Sequence, residues 1–194
     1  MAFVIKDEYL PATLTTHSMS DSEFTEICDE HPDLFFEMTA EGVLIVMAPT
    51  HWLTGVRNGE IFGELRSWAK KDGRGTCVDS STGFVLPNGA RRSPDASWTL
   101  KCRITKDGFL HLCPDFVIEL KSDSDRLRTL DKKMEEYMDN GAQLGWLIDP
   151  EKRTVAIYRP GREVETLTGP DKVAGEGPVT GFVLDLSEVW DPLA

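Results

Sequence analysis

Apolar residues along the chain fall into short runs whose spacing predicts strands and helices in mixed order. Two strand-like runs, residues 34–38 and 43–47, are joined by a turn that closes on a glycine, a pattern typical of a β-hairpin. Three further extended runs, at residues 76–79, 83–86 and 93–100, are separated by turn-forming residues and predict an antiparallel meander. We therefore expect this part of the chain to contribute strands to a sheet.

Apolar residues at helical spacing predict three helices. The first begins at Ser20 or Asp21, either of which can cap a helix N-terminus, and ends before Pro32. The second covers residues 51–70 and the third residues 126–140.

The second half of the chain contains the pattern of a parallel strand pair. Residues 116–120 form the most apolar strand, which we expect at the centre of a sheet with both faces buried. Residues 144–148 form a second buried strand, and the helix between the two fits a right-handed crossover. Residues 153–158 and 164–167 are expected to form a hairpin, and residues 182–190 a closing strand and turn.

Together these elements predict an α/β fold, or α+β in a stricter scheme, with a mixed central sheet flanked by helices. The chain has 194 residues, 40% of them hydrophobic, which is enough for a sizeable core. We expect residues 1–194 to form a single domain, in which residues 1–19 show no periodicity and form an extended arm.

Charge and cysteine content argue against several classes of protein. The formal net charge of -12 disfavours a protein that coats polyanions, because non-specific nucleic-acid binding depends on neutralising phosphates. No apolar run approaches the roughly 20 residues of a membrane span, and the charged N-terminus is unlike a signal peptide. The cysteines form no C-x-x-C pair, so we expect reduced thiols, neither disulfides nor a zinc site, and a cytoplasmic protein without membrane contacts.

Three glycines lie on one ridge of the second predicted helix, at positions 55, 59 and 63. Each interior glycine costs on the order of 1 kcal/mol relative to alanine. The ridge therefore predicts close packing of the helix backbone, either against a sheet of the same subunit or against a helix of a partner subunit.

Charged residues interrupt two predicted strands where a core strand would be apolar. Asp95 lies in one of them, and Glu119 and Lys121 lie two positions apart on one face of the other. If the strands pair, two carboxylates and an amine converge, and carboxylates with a backbone carbonyl suit Mg²⁺ or Mn²⁺. Such a metal lowers the pKa of its bound water, which is chemistry for phosphodiester hydrolysis. Cross-strand ion pairs of these acids with Lys121 explain the same pattern.

Two more polar residues have a structural and a functional interpretation. Glu37 interrupts a predicted strand and either points to water from a sheet edge or projects into a site. His51 lies at the start of the second helix, where a hydrogen-bonded or solvated role competes with a catalytic one.

These residues lie within a longer series of motifs in the chain. In chain order the motifs are Phe36-Glu37-Met38 with Gly42, Met47-Ala48-Pro49, Thr54-Gly55-Val56-Arg57-Asn58, Gly83-Phe84-Val85-Leu86-Pro87-Asn88-Gly89-Ala90, Ser93-Pro94-Asp95-Ala96-Ser97-Trp98, Glu119-Leu120-Lys121-Ser122, Lys133 with Tyr137 and Gly141, and Gly145-Trp146-Leu147-Ile148-Asp149-Pro150. In this combination, the chain from about residue 20 onward resembles the Uma-two family, a restriction endonuclease branch of the PD-(D/E)XK nuclease superfamily.

The resemblance implies a restriction-endonuclease-like core and a metal-dependent endonuclease that hydrolyses phosphodiester bonds in DNA. It implies that Mg²⁺ or Mn²⁺ is held by Asp95, Glu119 and the Leu120 backbone carbonyl. It also implies that Lys121 takes the role of the family's lysine and that Glu37 is a further metal or water ligand.

Three residues are candidates for auxiliary roles. Lys133 could reach the site from the third helix, and Arg57 and Asn58 could contact a phosphate or a base, although surface roles suit all three equally well. We expect a homodimer, because one site cuts one strand and a symmetric pair could cut both. The alternative is a binding or interaction module that keeps the fold and the metal site but does not cut, which the charge of -12 favours.

Overall fold

The structure, a computed structural model, describes residues 12–15, 19–47, 49–105 and 108–193. The helices are α1 (Asp21–Glu30), α2 (Trp52–Asp72), α3 (Leu127–Asp139) and α4 (Ser187–Trp190). The strands are β1 (Ala12–Thr15), β2 (Phe35–Met38), β3 (Val43–Met47), β4 (Gly75–Asp79), β5 (Phe84–Val85), β6 (Arg91–Arg92), β7 (Ala96–Leu100), β8 (Phe116–Leu120), β9 (Leu144–Asp149), β10 (Thr154–Tyr158), β11 (Glu165–Thr168), β12 (Lys172–Ala174) and β13 (Val183–Asp185). Most of the predicted arm lies outside the described residues, and β1 is the strand within it.

Helix α1 begins with a capping box. The Glu23 N–H donates to Ser20 Oγ at 3.3 Å, and the Ser20 N–H donates to a carboxylate oxygen of Glu23 at 2.8 Å. Two N–H groups that the helix cannot satisfy internally are thereby paired. Of the two predicted caps, Ser20 is therefore the one used.

A six-stranded sheet in the order β11-β10-β9-β8-β7-β4 forms the centre of the molecule. Strand β8 pairs in parallel with β9 and antiparallel with β7. Helix α3 connects the two parallel strands, as predicted. Every residue of β8 is buried, which confirms the expected central position with both faces covered.

The two faces of this sheet carry separate helices. Ile61 and Leu65 of α2 belong to a core cluster with Trp98 and Phe116 on one face. Met134 and Tyr137 of α3 belong to a second cluster on the other face, together with Val117 and Leu147. A side chain of β8 therefore faces either α2 or α3 according to its position along the strand.

Methionine side chains of helix α3 pack directly over Gly145 of strand β9. A Cβ atom added at Gly145 would lie 2.4 Å from Met134 Cε, so the glycine leaves room for the end of the Met134 side chain.

A second, five-stranded sheet has the order β1-β3-β2-β6-β5. The predicted hairpin of β2 and β3 is confirmed, but the predicted antiparallel meander is wrong. Strand β4 pairs with β7 in the six-stranded sheet, whereas β5 pairs with β6 in this one. The predicted strand over residues 93–100 begins only at Ala96, because Pro94 has no N–H for a sheet ladder.

The C-terminal part forms a small sheet of its own. Strands β12 and β13 pair antiparallel, and β13 is the closing strand predicted within residues 182–190. The short helix α4 follows where a turn was expected.

The glycine ridge of α2 does not pack against the sheets in the described part of the chain. A Cβ atom added at Gly55, Gly59 or Gly63 would meet no atom of the described residues within 4 Å, which contradicts packing of the ridge against either large sheet. In the described part of the chain, no helix has the length and apolar character needed to cross a membrane.

Candidate active site

The candidate site lies where strands β7 and β8 stop pairing. Their antiparallel register pairs Ala96 with Ile118, and its continuation by one residue places Asp95 opposite Glu119. Beyond the last pair, Asp95 Oδ2 accepts a hydrogen bond from the Leu120 N–H at 2.7 Å. The carboxylate therefore replaces a strand partner and stands beside the end of β8.

Asp95 is also held from α2. The Asn58 side-chain amide donates to Asp95 Oδ1 at 3.1 Å, while Asn58 Oδ1 is buried without a hydrogen-bond partner among the described residues. Burial raises the pKa of the Asp95 carboxyl above its usual value, although the Leu120 N–H and Asn58 oppose the shift. In a strand, the N–H and C=O of one residue point to the same side, so the Leu120 carbonyl is also directed toward Asp95.

Glu119 projects from the α3 face of the sheet. It is 4% exposed, and its Oε1 atom lies 2.9 Å from Lys133 Nζ and accepts a hydrogen bond from the Tyr137 hydroxyl at 2.9 Å. Lys133 and Tyr137 are one helical turn apart on α3 and therefore reach the same oxygen. Burial, together with the charges of Asp95 and Glu37, outweighs Lys133 and raises the pKa of Glu119 to about 8.

Glu37, on strand β2, is enclosed by donors. Its Oε1 accepts the Ser93 N–H at 2.9 Å and lies 2.9 Å from Lys133 Nζ, and its Oε2 accepts from Arg92 at 3.2 Å. Burial alone would raise the pKa of Glu37, but Lys133 and Arg92 outweigh it and hold the pKa below its usual value. Arg92 is held in turn by Glu136 at 2.6 Å.

Lys133 joins the two glutamates with a single ammonium group. Burial disfavours its charged form, but the carboxylates of Glu119 and Glu37 outweigh that effect and raise the pKa of Lys133 above its usual value. The residue is therefore a buried cation between two buried carboxyl groups.

Lys121 has other partners. Its Nζ lies 3.3 Å from Glu151 Oε2, on a largely exposed side chain, and 3.5 Å from the Ser122 carbonyl oxygen. Within the described residues, Lys121 forms no ion pair with Asp95 or Glu119. The predicted acids thus lie together, whereas the Lys121 side chain, at 12% exposure, pairs with the exposed Glu151.

Two further candidates from the sequence lie apart from the acids. Arg57 donates to the Val189 carbonyl at 2.8 Å, which fixes α2 to the C-terminal helix. His51 is exposed at the start of α2, and its side chain makes no capping hydrogen bond there.

The oxygen atoms around Asp95 suit a hard divalent cation. Over the described ranges, no three His, Cys, Asp or Glu side chains are close enough to form a ready-made metal site. However, Asp95, Glu119 and the Leu120 carbonyl provide the oxygen donors that Mg²⁺ and Mn²⁺ prefer, and the unpartnered Asn58 Oδ1 lies beside them. The contacts of Glu119 both use Oε1, which leaves Oε2 to face another ligand. The donor set therefore fits such an ion.

The sequence pattern did not identify Arg92 or Glu136 as parts of the site. The signal for Arg92 was a charged pair, Arg91-Arg92, immediately before the Pro-Asp motif. Both arginines are buried, at 6% and 7% exposure. Buried arginines require acidic partners, but the sequence does not indicate which of the many acids provide them.

Comparison with known proteins supports the nuclease interpretation. Residues 21–187 match the profile of the Uma-two family, which is described as "Putative restriction endonuclease". The crystal structure of a putative nuclease from Anabaena variabilis is similar with a TM-score of 0.73 at 22% sequence identity. That match covers 89% of this chain and 97% of the other. At this identity, the likeness shows the fold alone. No curated protein matches the chain.

Proposed function

The chain belongs to the Uma-two family, and from this premise we propose that it is a metal-dependent endonuclease that hydrolyses phosphodiester bonds in DNA. The observation that carries the proposal is the convergence of Asp95 and Glu119 at the point where β7 and β8 separate, with the Leu120 N–H bonded to Asp95 at 2.7 Å. The nuclease fold and the family description support a hydrolytic role for such acids.

In this proposal, Mg²⁺ or Mn²⁺ is held by Asp95, Glu119 and the Leu120 carbonyl. The ion would supply Lewis-acid activation of a phosphate oxygen and a water of lowered pKa. The residues of the chain fix the ligands: Asn58 orients Asp95, and Tyr137 orients Glu119. Because the net charge is -12, attraction for the phosphate backbone has to come from local cations and the bound metal rather than from the surface as a whole.

The expected homodimer is part of the proposal, since two symmetric sites could cut both strands of a duplex. Light scattering at several protein concentrations measures the oligomeric state directly. The proposed location is the cytoplasm, where free thiols persist.

The test is cleavage of supercoiled plasmid and of single-stranded DNA by the purified chain with Mg²⁺, with Mn²⁺ and with EDTA. We expect cleavage only with metal, and we expect Asp95→Asn and Glu119→Gln to abolish it while circular dichroism shows folded protein. Asp139→Asn, which alters an exposed acid at the end of α3, is the matched control. Cleavage by Asp95→Asn at the wild-type rate would refute the assignment.

The second candidate function is a binding module that retains the fold without cutting. It is favoured by the charge of -12 and by the lack of a ready-made metal cluster in the described residues. Calorimetric titration with Mg²⁺ and Mn²⁺ separates the two functions when it is paired with the cleavage assay. Metal binding without cleavage of any nucleic acid would favour the module.

A further inference from the structure

Two lysines border the acids, and their surroundings differ. Lys133 Nζ lies 2.9 Å from Glu119 and 2.9 Å from Glu37, with its side chain 14% exposed. Lys121 Nζ lies 3.3 Å from Glu151, whose side chain is 76% exposed. The Lys121 side chain is shielded to a similar degree, at 12% exposure, so what distinguishes Lys133 is its contact with the acids of the site.

Glu37 has little capacity left for a metal. Its Oε1 serves both Lys133 and the Ser93 N–H, and its Oε2 serves Arg92. A carboxylate oxygen that already accepts charge-assisted hydrogen bonds gains less from a further cation. Glu119 differs, because both of its contacts use one oxygen.

The fold explains why Lys133 reaches Glu119. Lys133 and Tyr137 lie one turn apart on α3, and α3 connects β8 to β9. Met134 of α3 packs over Gly145 of β9, and the same helix brings both polar groups into contact with Glu119 near the end of β8. Lys133 is therefore placed by the crossover itself rather than by a surface loop.

We propose that Lys133, rather than Lys121, is the amine of the active centre, and that Glu37 positions Lys133 instead of ligating the metal. The Lys133 ammonium acts as a fixed cation that directs Glu119 Oε1 toward α3 and leaves Oε2 for the metal. This inference rests on the proposed nuclease function for its catalytic meaning, but the arrangement of ligands can be tested without any substrate.

The first test is calorimetric titration with Mn²⁺ alone. If Glu37 is a positioning residue, Glu119→Gln weakens Mn²⁺ binding at least about tenfold more than Glu37→Gln does, since outer-shell changes cost less than loss of a ligand. Equal loss of affinity in the two variants would make Glu37 a ligand and overturn its assigned role.

The second test compares the two lysines. We expect Lys133→Gln to lower the cleavage rate by about 10²-fold or more, the scale of losing one fixed electrostatic group, and Lys121→Met to lower it by a factor at least about ten times smaller. Lys132→Met, on the exposed side of α3, is the control that leaves cleavage unchanged. A larger loss for Lys121→Met would overturn the proposal.

A third readout is thermal stabilisation by Mn²⁺, which a merely structural lysine would not alter. With the ammonium removed, saturating Mn²⁺ should raise the Tm of Lys133→Gln by more than that of the wild type, because the metal then compensates uncancelled negative charge. An equal or smaller increase would refute the fixed-cation role. If Lys133→Gln does not fold, the Glu37→Gln titration decides the proposal.

Failure of this inference can be distinguished experimentally from failure of the proposed nuclease function. A wild-type chain that binds Mn²⁺ but cuts no nucleic acid would refute the endonuclease, while the titrations would still decide the role of Glu37. A wild-type chain that binds no metal would overturn both proposals.

Discussion

Replacement of Lys133 by methionine in the metal-free chain tests whether the Lys133 ammonium stabilises the site by bridging Glu37 and Glu119. The substitution keeps most of the side-chain volume and removes the ammonium that lies 2.9 Å from both Glu37 and Glu119. These carboxylates are 3% and 4% exposed. Among the described residues, Glu37 retains Arg92 as a partner, whereas Glu119 retains only the Tyr137 hydroxyl. The variant therefore leaves one buried acid poorly compensated.

Removing one partner of a buried ion pair costs about 3–5 kcal/mol. For a chain of this length, each kcal/mol of lost stability lowers the Tm by about 2–4 °C, so we expect the Tm of Lys133→Met to decrease by about 6–20 °C. Double substitution with Glu119→Gln should recover part of the loss, with a coupling free energy of about 0.5–3 kcal/mol.

The loss of stability caused by Lys133→Met depends on pH in a direction that the pKa of Glu119 determines. The pKa of Glu119 is raised from its usual 4.5 to about 8, so the folded chain binds more protons than the unfolded chain between these values. Stability therefore falls as the pH rises through this window. Without Lys133, the pKa of Glu119 rises further, and the decrease in stability with rising pH becomes steeper. The penalty of Lys133→Met should thus be larger at about pH 8 than at about pH 6.

Chemical denaturation in EDTA at the two pH values measures the free energies of unfolding. Lys132→Met is the control, and its effect should stay within about 0.5 kcal/mol because its side chain is exposed. A Lys133→Met chain as stable as this control would show that the ammonium does not bridge the two acids. A penalty that is the same at both pH values would refute the account of Glu119.

Packing and thiol chemistry provide two further predictions. Gly75→Ala would place a Cβ 2.1 Å from the ring of Trp98, which is fully buried, and should destabilise the chain by about 1–3 kcal/mol in denaturation experiments. By contrast, the Cβ of Gly59→Ala meets no atom of the described residues within 4 Å, so this substitution should stabilise the chain by about 0.5–1 kcal/mol, and the reverse order of stabilities would refute the packing. Burial raises the pKa of the Cys113 thiol to about 12, so a thiol reagent at about pH 8 should label exposed Cys102 rapidly and Cys113 only on unfolding. Rapid labelling of Cys113 in the folded Cys102→Ser variant would contradict this burial.

Local patterns predicted most elements of the fold correctly. The crossover from β8 through α3 to β9 is visible in the sequence because an apolar run, a stretch with apolar residues at helical spacing and a second apolar run follow each other in this order. Charge inside apolar strands also singled out Asp95 and Glu119 as candidate site residues, since buried acids are costly unless they have a function.

The prediction was wrong where pairing depends on distant segments. Strands β4, β5 and β7 were predicted as consecutive members of one meander, but they divide between two sheets. A run of two residues, such as β5 or β6, carries too little pattern to specify its partner. The register that places β6 beside β2, and Arg92 beside Glu37, arises only when the chain folds.

The direction in which long side chains point could not be predicted from the sequence either. Spacing along β8 places Glu119 and Lys121 on one face, but Lys121 follows the last residue of the strand and its flexible side chain pairs with Glu151. Lys133 is remote in sequence, and its approach to Glu119 depends on how closely α3 packs against the sheet. The motif therefore located the acids of the site better than the amine.

The environments of three chemically similar acids assign them different roles. Lys133 and Arg92 hold the pKa of Glu37 below its usual value despite burial, whereas burial raises the pKa of Asp95 and of Glu119. A raised pKa marks an anion whose charge the protein compensates incompletely, and such an anion gains most from an added cation. Asp95 and Glu119 are therefore the acids with most to gain from a metal, while Glu37 is already neutralised by the chain. The geometry of the hydrogen bonds leads to the same division, because in the described part of the chain both oxygens of Glu37 have partners, whereas the contacts of Glu119 use one oxygen.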